Sequence, residues 1–227
     1  MGEVLYSAME FFNLPSEEKL KFMSSDVYKP ARYGTRLRDG ADKIQFWRVF
    51  LKHYASPLED KNPPKHRCAQ VPGRRWGKNM DEGMQVMAVN CYPPCPQPDI
   101  AFGLPPHSDY SCLTIVLQSS EGLEFLGKED ESWRKVPNVH VGDHLEVLSN
   151  GIYKSVVHRA TLNRERIRIS ITSLHSLGVG VKMETAKELQ HPKGYKETSF
   201  MDFLNFLSKN DIAEGKNFTN TLKILGD

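Results

Sequence analysis

Two side chains with metal-binding chemistry lie two residues apart in residues 104–110, whose sequence is LPPHSDY. His107 offers an imidazole and Asp109 a carboxylate. Residues i and i+2 of a β-strand project from the same face, so a strand beginning here would direct both groups towards one metal ion. Such a pair also arises by chance, and a site requires further ligands elsewhere in the chain.

A third candidate ligand is His158, in a predicted strand where it shares one face with Val156 and Ala160. A lone histidine among small apolar neighbours is more often a hydrogen-bonded core residue than a metal ligand. Together with His107 and Asp109, however, it completes the set of two histidines and one carboxylate that binds Fe(II) and leaves coordination positions open. We assign no ligand role to the remaining histidines, which are His53, His66, His140, His144, His175 and His191.

Residues 166–172, with the sequence RIRISIT, alternate strictly between polar and isoleucine side chains. The polar face of this predicted strand either meets water or lines the interior of a barrel. In a barrel, Arg168 would bind a distal carboxylate as a fork, and Ser170 would donate a second hydrogen bond. Fe(II) with an ionised Asp109 leaves one positive charge and Arg168 adds another, which matches a dianionic 2-oxo dicarboxylate that chelates the metal.

These side chains need a rigid β scaffold, and short apolar runs separated by Pro, Gly and Ser predict one, as in sandwiches and barrels. Asn150-Gly151 between two such runs is a strong hairpin signal, so we expect three or four antiparallel neighbours in succession. Residues 24–43 are polar and turn-rich. The predicted strands are residues 44–51, 85–90, 113–118, 123–126, 145–149, 152–161 and 166–173.

Helices are predicted at both ends of the chain. Apolar residues at helical spacing predict a first helix over residues 1–13, and Ser16 is an N-cap for a second one that ends near residue 23. Ser199 is a candidate cap for a C-terminal helix that covers one face of the sheet. The apolar positions of that last helix are Phe200, Phe203, Leu204 and Leu207.

Composition restricts the partners and the compartment. The 227 residues include 30 basic and 28 acidic side chains, so the formal net charge of +2 gives no electrostatic reason to expect nucleic acid or an anionic membrane as partner. No apolar run approaches the ~18 residues of a membrane span. The four cysteines lack CxxC spacing, which predicts free thiols in a reducing compartment. We therefore expect a cytoplasmic monomer whose partner is a small molecule.

Five motifs in combination resemble the plant 2-oxoglutarate- and Fe(II)-dependent dioxygenases, a family that includes flavonoid-, hormone- and alkaloid-modifying enzymes. The resemblance extends from about residue 83 to the C-terminus and returns in residues 1–60. The motifs are NCYPPCP at 90–96, HSD at 107–109, LSNG at 148–151, YKSVVHR at 153–159 and RIS at 168–170.

This resemblance implies a mostly β fold with flanking helices, namely a double-stranded β-helix (jelly roll) packed against helices. The implied iron ligands are His107, Asp109 and His158. The residues implied at the 2-oxoglutarate co-substrate are Arg168, Ser170, Tyr92 and Asn90, and Leu174 stands at a position that often lines the substrate pocket. O2 is the second co-substrate, and ascorbate is expected to support activity.

Three segments follow from the resemblance. Residues 1–60 form an N-terminal helical and strand segment, residues 61–82 a basic loop rich in Pro and Gly, and residues 83–227 the catalytic domain with its C-terminal helix. Compared with relatives, we expect the chain to be shortened before its first helix, between residues 60 and 81, and within residues 133–143.

The predicted function is therefore that of an oxidoreductase. It would couple oxidative decarboxylation of 2-oxoglutarate to hydroxylation or desaturation of a small specialised metabolite or hormone in plant metabolism. One alternative is a catalytically impaired, shortened member of the family that retains only metal or ligand binding. A zinc hydrolase with the same three ligands is a weaker alternative, because it leaves Arg168, Ser170 and Tyr92 without a role.

Overall fold

The computed structural model describes residues 2–35, 46–56, 83–127, 129–190, 192–210 and 214–224. The loop predicted for residues 61–82 lies outside these ranges. The strands are β1 Ala31–Gly34, β2 Val49–Ser56, β3 Met84–Tyr92, β4 Leu104–His107, β5 Leu113–Gln118, β6 Leu123–Leu126, β7 Trp133–Lys135, β8 Val139–Val141, β9 His158–Ala160 and β10 Arg168–Ser176. The α-helices are α1 Gly2–Asn13, α2 Ser16–Leu20, α3 Asp143–Leu148, α4 Phe200–Lys209 and α5 Phe218–Leu222, and Lys187–Leu189 forms a 3-10 turn.

The strands form two antiparallel sheets. The large sheet has the order β1-β2-β3-β10-β5-β8, and the small sheet has the order β4-β9-β6-β7. The fold is thus mostly β with flanking helices, as the sequence predicts. No α-helix within the described ranges has the length and apolar character needed to cross a membrane.

Strand β10 lies in the middle of the large sheet, paired with β3 on one side and β5 on the other. Its side chains alternate between the two faces of the sheet. Ile169 and Ile171 are buried on the outer face, where they pack with Ala8 and Phe12 of α1. The opposite parity puts Arg168 and Ser170 on the inner face, where both are buried. The polar face of this strand therefore does not meet water.

Helices α4 and α5 form a second core with the inner face of the large sheet. The Tyr110 ring stacks on Phe203, with ring centroids 4.4 Å apart and planes at 13°. The predicted cap of α4 is present: the Ser199 hydroxyl accepts a hydrogen bond from the Asp202 backbone N–H, and the Asp202 carboxylate accepts one from the Ser199 backbone N–H. This capping box fixes where α4 begins and therefore where its aromatic face lies.

The predicted strand over residues 145–149 is wrong, because residues 143–148 form helix α3. Asn150 and Gly151, predicted as a hairpin turn, follow the end of that helix with φ angles of 52° and 82°. Both a type I′ hairpin and a helix C-terminus use residues with positive φ, so this dipeptide does not distinguish them. The Asn150 side chain donates to the carbonyls of Leu189 and Pro192, and these contacts fix the loop.

Other expectations also need correction. The predicted strand over residues 152–161 shrinks to β9, and β10 pairs with β3 and β5 rather than with its neighbour in sequence. Within the turn-rich residues 24–43, Ala31–Gly34 forms strand β1 and pairs with β2. Strand β2 begins at Val49, and residues 44 and 45 lie outside the described ranges.

We expect Ser199→Ala to lower the free energy of unfolding by about 1 kcal/mol, because the first turn of α4 loses the hydroxyl that accepts a backbone hydrogen bond. Urea unfolding followed by circular dichroism measures this change. Ser199→Asp, which keeps an oxygen acceptor at the cap, serves as the control. Equal unfolding midpoints for Ser199→Ala and the unchanged protein would mean that the cap does not stabilise α4.

Candidate metal centre

The register of the small sheet brings two histidines together. His107 is the last residue of β4 and His158 the first of β9, and the two are cross-strand partners. Their ring centroids are 4.3 Å apart. Asp109 lies beyond the end of β4, so the expectation that it shares a strand face with His107 is wrong. The loop after the strand carries its carboxylate back to the two rings.

The three side chains converge on one point. Asp109 Oδ1 lies 3.8 Å from His107 Nε2 and 3.7 Å from His158 Nε2. One potential ligand atom from each residue lies within 4.8 Å of the others. Two nitrogens and one carboxylate oxygen are donors that would suit Fe(II) and would leave coordination positions for other ligands.

Backbone carbonyls orient both imidazoles. His107 Nδ1 lies 2.8 Å from the Pro105 carbonyl oxygen, and His158 Nδ1 lies 3.0 Å from that of Val156. A carbonyl oxygen only accepts hydrogen bonds, so Nδ1 carries the proton in both rings. Each Nε2 then presents a lone pair to the common point, which is the tautomer that a metal requires.

The second oxygen of Asp109 is held by the large sheet. Oδ2 accepts hydrogen bonds from Thr114 Oγ1 at 2.6 Å and from His140 Nε2 at 3.0 Å. Thr114 and His140 are cross-strand partners in β5 and β8. They occupy one oxygen of the carboxylate, and the other oxygen faces His107 and His158.

The electrostatics favour the protonation states that bind a metal. Burial, followed by the neighbouring His158, lowers the pKa of His107 to about 3. Burial also lowers the pKa of His158. Burial acts to raise the pKa of Asp109, but His158, the hydrogen bond from His140 and the nearby His107 together hold that pKa well below its usual range. Neutral imidazoles beside an ionised carboxylate need to release no proton when an ion binds.

Arg168 has a donor left over for a ligand. Its Nη2 donates to Gln118 Oε1 at 2.8 Å and its Nε donates to the Ser120 carbonyl at 3.2 Å. Its Nη1 is buried without a hydrogen-bond partner among the described residues. A buried, charged donor in this state is costly, and a carboxylate would satisfy it. Ser170, two residues along the same face, is also buried.

The other predicted co-substrate residues are close by. The Arg168 guanidinium lies 4.9 Å from the centre of the Tyr92 ring. Asn90 Oδ1 accepts a hydrogen bond of 2.6 Å from Arg48 Nη1. A cavity of about 220 Å³ is lined by the three candidate ligands and by Asn90, Tyr92, Ser170 and Leu174.

Gly122 leaves room for the Arg168 side chain. Its φ is 151°, and a Cβ added there would lie 2.9 Å from both Cδ and Nε of Arg168. Such a distance is too short for any non-glycine residue to be accommodated without displacing the arginine. Gly122 therefore sets the position of the guanidinium.

Sequence reasoning missed His140, Thr114, Gln118 and Gly122. The sequence signal for His140 is a polar residue between two apolar ones in Val139-His140-Val141, which is the alternation expected of a β-strand. His140 is buried, while Val139 is exposed. The contacts of Gln118 and Gly122 with Arg168 depend on strand pairing and have no local signal.

Comparison with known proteins supports this chemistry. Residues 83–176 match the sequence profile of the 2OG-Fe(II) oxygenase superfamily. Flavanone 3-dioxygenase 3 of Oryza sativa subsp. japonica is 40% identical over 262 residues, which cover 99% of this chain and 79% of the relative. The 2-oxoglutarate-dependent dioxygenase 21, chloroplastic, of the same organism is 42% identical over 263 residues, covering 99% of this chain and 78% of the relative. Both relatives are named as dioxygenases, which disfavours the alternative of a zinc hydrolase.

The alignment with the flavanone dioxygenase is longer than this chain. The relative therefore has residues inside the aligned region without a counterpart in this chain. The crystal structure of JOX2 in complex with 2OG, Fe and JA is similar with a TM-score of 0.71 and 24% identity, covering 95% of this chain and 78% of that chain. The structural likeness confirms the predicted jelly roll.

We expect His140→Leu to weaken metal binding by roughly 10–100-fold, because Asp109 Oδ2 loses one of its two hydrogen-bond donors. Anaerobic titration with Co(II), followed by its visible absorption, measures the dissociation constant. His140→Gln retains an N–H donor and is expected to recover most of the affinity. The control is His175→Leu, which removes a histidine from the other face of β10. Unchanged affinity in His140→Leu would leave Thr114 as the sole determinant of the carboxylate position.

We expect Gly122→Ala to weaken binding of 2-oxoglutarate by about tenfold or more, because the added Cβ displaces the Arg168 guanidinium. The absorption band of the anaerobic Fe(II) complex with 2-oxoglutarate gives the dissociation constant. Gly180→Ala is the matched control, since no described atom lies within 4 Å of a Cβ built there. Equal affinities in the two variants would contradict the role given to Gly122.

Proposed function

The chain belongs to the 2OG-Fe(II) oxygenase superfamily and is a 2-oxoglutarate- and Fe(II)-dependent dioxygenase, and on this premise we propose that it hydroxylates or desaturates a small specialised metabolite. The observation that carries the proposal is the convergence of His107, Asp109 and His158 within 4.8 Å. We propose these three residues as the iron ligands. Bound there, Fe(II) would supply the redox chemistry that consumes O2 and 2-oxoglutarate.

The protein's part at the metal is to hold the donors in place. The Pro105 and Val156 carbonyls fix the ring tautomers of His107 and His158. The bonds from Thr114 and His140 restrain the Asp109 carboxylate, so one of its oxygens faces the two histidines. Side chains locked in this way need little rearrangement when an ion binds, which favours affinity.

We assign the distal carboxylate of 2-oxoglutarate to Arg168 and Ser170. The buried Nη1 of Arg168 supplies a donor with no partner among the described residues, and the Ser170 hydroxyl lies on the same strand face. The charges also balance, because Asp109 neutralises half of the ferrous charge and Arg168 supplies the second positive charge for the dianion. Tyr92 and Asn90 would position the middle of the co-substrate, where they line the cavity.

The rest of the cavity is the proposed binding space for the primary substrate. Leu174 and the rings of Tyr110, Phe200 and Phe203 line it. Apolar walls exclude water from the reacting carbon and favour an aromatic or hormone-like molecule. Two relatives support this size class by their names, the flavanone dioxygenase and the JOX2 structure that holds JA. We propose the cytoplasm as the compartment, with the plastid as the alternative because one relative is named chloroplastic.

The full chain supplied with Fe(II), 2-oxoglutarate, ascorbate and O2 is expected to form succinate, and aromatic specialised metabolites should increase the rate. Loss of a residue that hydrogen-bonds a metal ligand typically lowers activity by roughly 10–100-fold, and Asp109→Asn, which changes a ligand itself, should lower the rate by more. Mass spectrometry of succinate measures it. Asp130→Asn is the control, because this aspartate is paired with Arg134 on the surface.

Two results would count against the proposal. Succinate formation that survives Asp109→Asn would remove the metal centre from the reaction. Binding of Fe(II) and 2-oxoglutarate by the folded protein without any succinate would instead favour an impaired member of the family that only binds its ligands.

A further inference from the structure

The cavity has a cationic wall in addition to the metal centre and the 2-oxoglutarate clamp. Arg32 of β1, Arg48 just before β2 and Lys52 of β2 all line it. The two arginines are buried, and their guanidinium carbons lie 5.2 Å and 5.0 Å from the centre of the Phe50 ring. Three cations from one edge of the large sheet therefore border the same space.

Strand pairing puts like charges opposite each other on this wall. Arg32 and Lys52 are direct cross-strand partners in β1 and β2. On its other side Lys52 is paired with Ala88 of β3, which also lines the cavity. Like charges directly opposite in a sheet are destabilising, and this cost falls on Lys52.

The carboxylates that line the cavity do not neutralise Lys52. Within the described ranges, Asp109 is the one acidic residue in the lining, and it is one of the three candidate metal ligands. No described carboxylate forms an ion pair with Lys52, whose ammonium lies 5.4 Å from the centre of the Tyr54 ring. Burial, followed by the charge of Arg32, lowers the pKa of Lys52 to about 8, so the lysine still carries a proton at neutral pH.

The co-substrate does not account for this charge. 2-Oxoglutarate carries two negative charges, which the metal with Asp109 and the Arg168 guanidinium already balance. The opposite side of the cavity is an aromatic wall formed by Tyr110, Phe200, Phe203, Phe206 and Phe218. An occupant that satisfies both walls has an apolar body and one anionic group.

We propose that the primary substrate is a small organic acid with an aromatic or other apolar body, and that its carboxylate binds the Lys52 ammonium on the cationic wall. This inference rests on the proposed function and names the substrate class of the same site. A neutral substrate of the same shape would leave the charge of the half-buried Lys52 beside Arg32, whereas a carboxylate forms a charge-assisted hydrogen bond there.

The test compares 4-coumarate with methyl 4-coumarate, which share one aromatic body and differ by the charge. Each is titrated anaerobically into the full chain loaded with Fe(II) and 2-oxoglutarate, and its binding is followed by the change in the charge-transfer band. The acid is expected to bind about tenfold tighter or more than the ester. In Lys52→Gln the acid should lose about tenfold in affinity while the ester is unaffected, and Lys52→Arg should retain the preference for the acid.

Lys182→Gln is the matched control, since it removes an equal charge from a lysine paired with Glu197 on the surface. It should leave both affinities unchanged. Equal binding of acid and ester, an equal loss of both in Lys52→Gln, or no saturable binding of the acid would each overturn the proposal. Formation of the charge-transfer band before any probe is added reports the metal and co-substrate sites, so a failure of the proposed function is seen separately.

Discussion

The carboxylate of Asp109 joins the two sheets of this protein. One of its oxygens accepts hydrogen bonds from Thr114 and His140, a cross-strand pair in the large sheet. The other oxygen faces His107 and His158, a cross-strand pair in the small sheet. The metal centre therefore lies between two pairs of strands, and its dimensions depend on how the sheets pack. A change in the register of either pair would separate the donors.

The candidate ligands could be found from the sequence because their residue types and local motifs identify them. Their geometry could not be predicted. His107 and Asp109 do come together, but not for the i, i+2 reason, since Asp109 lies beyond the strand. The contact of His140 with Asp109 could not be predicted, because it depends on the pairing of His140 with Thr114 of β5, which has no local signal. The family resemblance implies a role for each candidate ligand, whereas the distances between them depend on the fold.

The fold was predictable where local pattern and tertiary structure agree. Strands β5 and β6 lie where alternation and turn residues place them, and helix α4 begins at its predicted cap. Prediction failed at residues 143–151, where the alternating apolar residues and Asn-Gly also fit a hairpin. Long-range contacts select the helix: the buried Glu146 carboxylate accepts hydrogen bonds from the Ser155 backbone N–H and the Tyr195 hydroxyl. The residue pattern of 143–151 alone gives no information about these partners, because they lie in other segments of the chain.

Because the donors are positioned by different sheets, occupancy of the site is linked thermodynamically to global stability. A ligand that binds the native protein and not the unfolded chain raises the free energy of unfolding by RT ln(1 + [L]/Kd), where [L] is the free ligand concentration. An ion held by His107, Asp109 and His158, with 2-oxoglutarate closing on Arg168, would bridge the sheets in this way. The lifetime of the enzyme under proteolysis would then depend on the concentrations of Fe(II) and 2-oxoglutarate in its compartment. These two ligands would thus affect the amount of enzyme as well as its rate.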